Sequence, residues 1–374
     1  MDFAFNEEQQ DLQGLVEKIL GSEVTLERLK EVEGSDTNFD RELWGKLADA
    51  GVLGIAIPEA QGGGGYGFLE ASLVLEQIGR TVAPVPYYAS VVLGALPIAR
   101  FGTNAQKDAL LPGVASGDTI LSAALNETGA DPLAPTTTAK VDGDGFVLDG
   151  VKECVPAGPL ADRVLVPAST GDGVIVAIVD TKAKGVTVER QDTTNHHPEA
   201  RITLKGVKVG ADDVLGSTAQ GNEILTWLVE RATAALCAIA VGVCEEAVKM
   251  TAEYTKTREQ FDRPIATFQA VGQRAADAYI DTEAIRLTGW QAIWRLSEEL
   301  PAAAEVAVAK FWASEGGQRV VHAAQHLHGG MGVDRDYPLH RYFLWAKVIE
   351  LTLGSTTPQL LKLGKILADE PVSV

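Results

Sequence analysis

The sequence predicts an N-terminal all-α domain, a middle antiparallel β-sandwich or barrel, and a C-terminal four-helix bundle. Three observations carry this. Apolar residues recur at helical spacing through the first third of the chain. Short β-branched segments punctuated by Gly, Asp and Pro fill the middle, and long apolar-periodic stretches return from about Thr218. The expected boundaries are 1–118, 119–217 and 218–374.

In the first domain, Asn6 is a good N-cap, and Leu12, Leu15, Val16, Ile19 and Leu20 follow at the spacing of one helix face. A second helix is expected over Asp40–Ala50, with Leu43, Trp44 and Leu47 on one face and Gly51 as its stop. The four glycines 62–65 have no clear strand before them and no Lys-Ser/Thr after them. They read as a turn between helices, not a phosphate loop. Further helices are predicted at 68–80, 86–101 and 104–116.

The segments ILSAAL, TTTAKV, FVLDGVKECV, RVLVPAS, VIVAIVD, VTVER and RITLKGVKV read as strands of an antiparallel sheet. No GxGxxG opens a helix after a strand, so a Rossmann domain is unsupported. The last third predicts helices at 220–256, 267–298, 302–327 and 339–370.

Composition excludes several functions. A net charge of −19 argues against nucleic acid, which needs a basic face. The apolar run Ala234–Cys244 is too short to span a bilayer, and the acidic opening MDFAFNEEQQ is unlike a signal peptide, so a cytoplasmic protein is expected. Cys154, Cys237 and Cys244 lack CxxC spacing and are expected to be buried free thiols. His196 and His197 are adjacent, which favours a surface turn over a metal site.

One stretch stands out, YTKTREQFDRPIATFQAVGQ from Tyr254 to Gln273. Pro264 cannot continue a helix, so Arg258, Gln260, Phe261, Phe268 and Gln269 fall at a corner between two helices. Backbone donors and a guanidinium can meet an anion there. An ordinary solvated corner is the plain alternative.

Three strings in order, LWGKLADAGVLGIAIPEAQGGGGYG, TREQFDRPIATFQAV and QHLHGGMGVDRDYPL, resemble the acyl-CoA dehydrogenase family across essentially the whole chain. The resemblance implies FAD as cofactor and desaturation of an acyl-CoA thioester. A carboxylate takes the α-proton, hydride passes to the flavin, and an electron-transfer flavoprotein reoxidises it. It also implies that Arg258 faces the FAD pyrophosphate, Phe261 packs nearby and Gln269 bonds the adenosine end. His326, Leu327, His328, Gly329 and Gly330, with Gly332, form the neighbouring nucleotide loop. His326 stands where the family has Gln, unless Gln325 serves. In family tetramers these contacts reach FAD held by an adjacent subunit.

The departures are as informative. The family's base string reads Thr352-Leu353-Gly354-Ser355 here, and Leu353 cannot accept a proton. Glu350 lies nearly one turn upstream. The alternative base position on the long helix falls on Ala232, with Glu230 about 200° away around the helix. The two strings that cradle the flavin ring read Asn126-Glu127-Thr128 and Cys154-Val155-Pro156, and Pro156 has neither hydroxyl nor N–H. No catalytic residue is assigned. The pattern resembles the base-lacking subunit of actinobacterial α2β2 dehydrogenases of steroid side-chain CoA thioesters. A homologous, base-bearing subunit is the implied partner. A homotetramer using Glu230 or Glu350 as base, and a flavin-free assembly subunit, are the alternatives.

Overall fold

The computed structural model describes residues 4–369 of the 374. Helices, then a sheet, then helices follow one another as expected. The chain forms two compact units. One contains the chain before Glu27, Ser72–Ala83 and the chain from Thr233 on; the other contains Glu27–Ala71 and Pro84–Ala232.

Helix α1 (Glu7–Glu23) opens with a reciprocal cap, the Asn6 side chain accepting from Gln9 N at 2.9 Å and the Gln9 side chain from Asn6 N at 3.1 Å. Helix α2 (Leu26–Glu33) was not expected, because only Leu29 and Val32 are buried in a charged stretch and the apolar period is faint. Helix α3 (Arg41–Asp49) starts where Asp40 accepts from Leu43 N, and it buries Leu43, Trp44 and Leu47. The glycines 62–65 make a tight turn. A Cβ on Gly63 would stand 2.1 Å from the Ile57 carbonyl oxygen, so the turn requires glycine for close packing, with no need of a phosphate.

Helix α4 (Phe68–Thr81) follows. The predicted helix 86–101 is a π-helical stretch, Tyr88–Ala95, that passes into α5 (Leu96–Phe101). Helix α6 (Asn104–Ala115) is capped by Thr103 and Gln106.

In the second unit, seven strands form one sheet: β1 (Leu121–Ala123), β2 (Thr138–Asp142), β3 (Gly145–Pro156), β4 (Arg163–Ser169), β5 (Val174–Asp180), β6 (Val186–Gln191) and β7 (Glu199–Val209). Their order is β1-β4-β2-β3-β7-β6, with β5 on β4. The sheet is not wholly antiparallel, since β4 runs parallel to β1 and to the start of β2. The β2–β3 hairpin lies between β1 and β4 in the chain and is long enough for a crossover. Side-chain alternation, identical in both directions, could not reveal it. Leu148, Val155, Val166, Ile175, Ile202 and Leu204 form the sheet's core.

Helix α7 (Gly221–Thr257) is the longest, and 83% of its most apolar window is buried within the protein. In the first unit its later turns join α8 (Gln269–Ser297), α9 (Ala303–His328), α10 (Leu339–Leu351) and α11 (Thr356–Asp369). The expected helix 339–370 is thus two helices. The break holds Leu353 at φ +56° and Gly354 at φ +92°. Lys310, fully buried, fixes it by donating to the carbonyls of Ile349 (2.7 Å), Glu350 (3.1 Å) and Gly354 (3.0 Å). A cation at a helix C-terminus meets the negative end of its dipole.

Candidate functional site

The corner after α7 is built by short-range geometry. Arg258 N donates to Tyr254 O at 2.8 Å, closing the last helical turn. Strands β8 (Glu259–Gln260) and β9 (Arg263–Pro264) then pair as a two-residue hairpin. Phe261 and Asp262 at its tip both have positive φ, +54° and +61°. Side chains with a Cβ are strained there, and a hairpin of this kind usually carries Asn-Gly. Phe261 is 87% exposed, an unusual position for a large apolar ring. It touches Phe268 edge to face, while the Arg263 guanidinium lies 4.2 Å above the Phe268 ring. Arg263 was not singled out by the sequence; its stacking depends on the fold.

Arg258 is exposed, and among the described residues its guanidinium has no carboxylate partner. Gln269 is exposed at the first position of α8, which starts without a side-chain cap. Its first amide N–H groups are therefore open to an acceptor from outside.

The end of α9 adjoins this corner through Tyr254. His326, Gly329 and Gly330 are exposed, and Leu327 is half-buried. His328 is different. It is 3% exposed, stacks on Tyr254 at 4.3 Å, and has ring nitrogens 2.8 Å from Ala324 O and 3.2 Å from Tyr337 Oη. Both of its ring nitrogens are engaged within the protein. Gly332 is buried, and a Cβ there would stand 2.7 Å from Gln325 O. That glycine serves packing within the loop.

The residues that the resemblance assigns to the flavin ring lie in the second unit. Glu127 follows β1 and is fully engaged, accepting from Lys152 Nζ at 2.6 Å and from the backbone N–H groups of Thr136 and Thr137. Burial pushes its carboxyl up, but the Lys152, Thr136 and Thr137 hydrogen bonds outweigh this and hold it down at about 2. Lys152 also donates to Pro167 O at 2.8 Å. At the end of β3, Val155 is fully buried and Pro156 O accepts from Ser122 Oγ at 2.5 Å. Cys154 N is taken by Gln191 Oε1 at 2.7 Å. Cys154, Val155 and Pro156 carry no hydroxyl, Pro156 has no N–H and Cys154 N is already bonded, so these residues do not fit the cradle of a flavin ring.

Cys154 is exposed, correcting the expectation of three buried thiols; Cys237 and Cys244 are buried. Cys154 sits at φ +48° where the β3–β7 register shifts, and such an irregularity turns a side chain outward. Burial of its sulfur and the neighbouring Glu199 push the thiol up to about 11.

Neither alternative carboxylate is placed as a free base. Glu350 pairs with Lys347 Nζ at 2.7 Å. Glu230 is half-buried within α7, and Ala232 is buried with its carbonyl accepting from Tyr88 Oη at 3.3 Å. Leu353 is buried. His196 is exposed at φ +61°, and burial with the neighbouring His196 pushes His197 down to about 4. Among the described residues, no cluster of His, Cys, Asp or Glu is placed to hold a metal.

The family models for the acyl-CoA dehydrogenase N-terminal, middle and C-terminal domains match residues 6–118, 123–207 and 219–368. The chain is 45% identical to the acyl-CoA dehydrogenase FadE27 of Mycobacterium tuberculosis, over 99% of this chain and 100% of that one. Its fold is similar to that in the crystal structure of the ChsE4–ChsE5 complex from the same organism, at 46% identity, TM-score 0.94 and full coverage of both chains. It also resembles a variant of the Tcur3481–Tcur3483 steroid ACAD, at 45% identity and TM-score 0.92, covering 98% of this chain and 99% of that one. The chain belongs to the acyl-CoA dehydrogenase family, whose members are flavoprotein oxidoreductases acting on the CH–CH bond of acyl-CoA thioesters.

Proposed function

We propose that this chain is one subunit of a heteromeric acyl-CoA dehydrogenase. It lends Arg258, Phe261, Gln269 and the 326–330 loop to the ADP half of FAD whose ring and catalytic base belong to a homologous partner. The observation that carries this is an asymmetry. The corner offers a guanidinium without a carboxylate partner among the described residues and an uncapped helix start, while the ring cradle carries Pro156 and a fully engaged Glu127. A guanidinium and backbone N–H groups suit a pyrophosphate, and Arg258 takes that role here. When bound, FAD supplies the hydride acceptor; this chain's residues bind and orient it.

A protein partner is further supported by exposed apolar side chains. Ile280 and Leu287 share one face of α8, and Leu360 and Leu367 share one face of α11; these are 62%, 55%, 48% and 45% exposed. The similar chains in the ChsE4–ChsE5 and Tcur3481–Tcur3483 structures are described as members of pairs, and the latter as a steroid ACAD. A steroid CoA thioester is therefore the substrate proposed for the complex, with an electron-transfer flavoprotein as electron acceptor.

The test is to purify the chain alone and co-expressed with a homologue that bears a carboxylate at the position of Leu353. Only the complex should hold flavin and oxidise a steroid side-chain CoA thioester. Stoichiometric flavin and turnover in the lone chain would overturn the proposal in favour of a homotetramer. A colourless complex would leave an assembly subunit.

A further inference from the structure

We propose that His328 is a positioning residue, the buried pin that fixes the Arg258–Asp262 corner against the Gly329–Val333 loop. The inference rests on the reading of that corner as an ADP clamp, and adds how the clamp is held.

The hydrogen bonds define the ring's state. The Ala324 carbonyl can only accept, so His328 Nδ1, 2.8 Å away, must carry the proton. The other nitrogen of a neutral ring then accepts, and Tyr337 Oη donates to it at 3.2 Å. The same ring stacks on Tyr254 with an interplanar angle of 22°, and Tyr337 meets Tyr254 at 62°. Three segments therefore converge on one imidazole: the end of α7, the end of α9 and the stretch leading to α10.

Within itself the corner is held by Ile265 N donating to Arg258 O at 2.8 Å and by Phe261 and Arg263 against Phe268. Residues 258–263 are all exposed, β8 and β9 are two residues each, and the tip is strained at Phe261 and Asp262. An isolated two-stranded hairpin is marginal in water. Arg258, however, is one turn from Tyr254, whose carbonyl takes its N–H. Fixing Tyr254 fixes the start of the corner, and the chain after His328 enters the loop at once through Gly329, φ +60°.

The surroundings favour a neutral ring. Around His328 stand the Tyr254 ring from α7, the Tyr337 hydroxyl from the segment before α10 and the Ala324 carbonyl from α9 itself, with no charged side chain among these contacts. Burial holds its pKa below the ordinary value. Protonation at acid pH would place a buried charge among these uncharged groups and reverse the Tyr337 bond, Nε2 then donating to Oη, which favours opening of the pin.

The test uses His328→Phe, which keeps a stacking ring but loses both hydrogen bonds, and Tyr337→Phe, which removes one hydroxyl. Amide exchange in the chain alone is measured at 258–262 and 329–333, and FAD affinity in the assembled complex. Both variants should accelerate exchange at those two segments and not in β3 or β7, and weaken FAD about tenfold, the scale of one lost buried hydrogen bond. Wild-type affinity should fall on the acid side of the ordinary histidine range, and His328→Phe should abolish that pH dependence. If Arg258→Ala weakens FAD while both variants keep wild-type exchange and affinity, the pin is wrong and the clamp stands. If the wild-type complex holds no FAD, the clamp reading fails, and the exchange data alone decide the pin. Unchanged exchange would then reject it.

Discussion

The Lys152 ammonium stands 2.6 Å from the Glu127 carboxylate inside the second unit, with only 1% and 4% of the two side chains exposed. This pair ties the loop after β1 to β3. Removing one partner of a buried pair strands the other charge. Glu127→Gln should therefore cost about 3–5 kcal/mol of stability, and Glu127→Gln with Lys152→Met should recover much of it. Thermal unfolding of the three proteins checks this.

The same pair sets an acid limit. Glu127 titrates at about 2 in the fold against an ordinary 4.5, so its folded pKa is depressed. Its contribution is present above pH 4.5 and is lost as pH falls from there toward 2. Urea midpoints of wild type minus Glu127→Gln should converge across that window. A difference that stays constant with pH would remove the ion pair as its cause.

Lys310 gives the same direction of pH dependence in the alkaline range. Burial pushes it down to about 8 from 10.5, so the protonated form is disfavoured in the fold. The unfolded chain binds more protons between about pH 8 and 10.5, and stability rises with pH there. Relative to Lys310→Met, wild type should gain stability between pH 7.5 and 9.5. At neutral pH that variant should lose about 1–3 kcal/mol for each carbonyl left unpaired among Ile349, Glu350 and Gly354. Denaturant unfolding at the two pH values reads both effects.

If the base belongs to the partner, Glu230→Gln and Glu350→Gln should each leave turnover of the complex within about twofold, the neutral range for a residue outside transition-state contact. A loss of several orders of magnitude from either would restore a base to this chain. Steady-state kinetics of the assembled complex decide it.

Thiol counting separates the cysteines. The native chain should react at Cys154 alone, and slowly, because a thiol held at about 11 is scarcely ionised near neutrality. In denaturant all three should react.

Sequence by itself determined the helix–sheet–helix order, the cap at Asn6 and the faces of α1 and α3. These rest on local hydrogen bonds and on a repeat that the chain carries within itself. It also determined the absence of a proton acceptor at Leu353 and of a hydroxyl at Pro156, since chemistry that a side chain lacks cannot be folded into it. Other features lie between segments far apart in the chain, where side-chain patterning says nothing. Strand direction in β1–β4, the outward turn of Cys154 and the break held by Lys310 are of this kind. So is His328. The sequence places it beside two glycines in a nucleotide loop; only the tertiary structure buries it against Tyr254 and Tyr337, residues 74 positions before it and nine after.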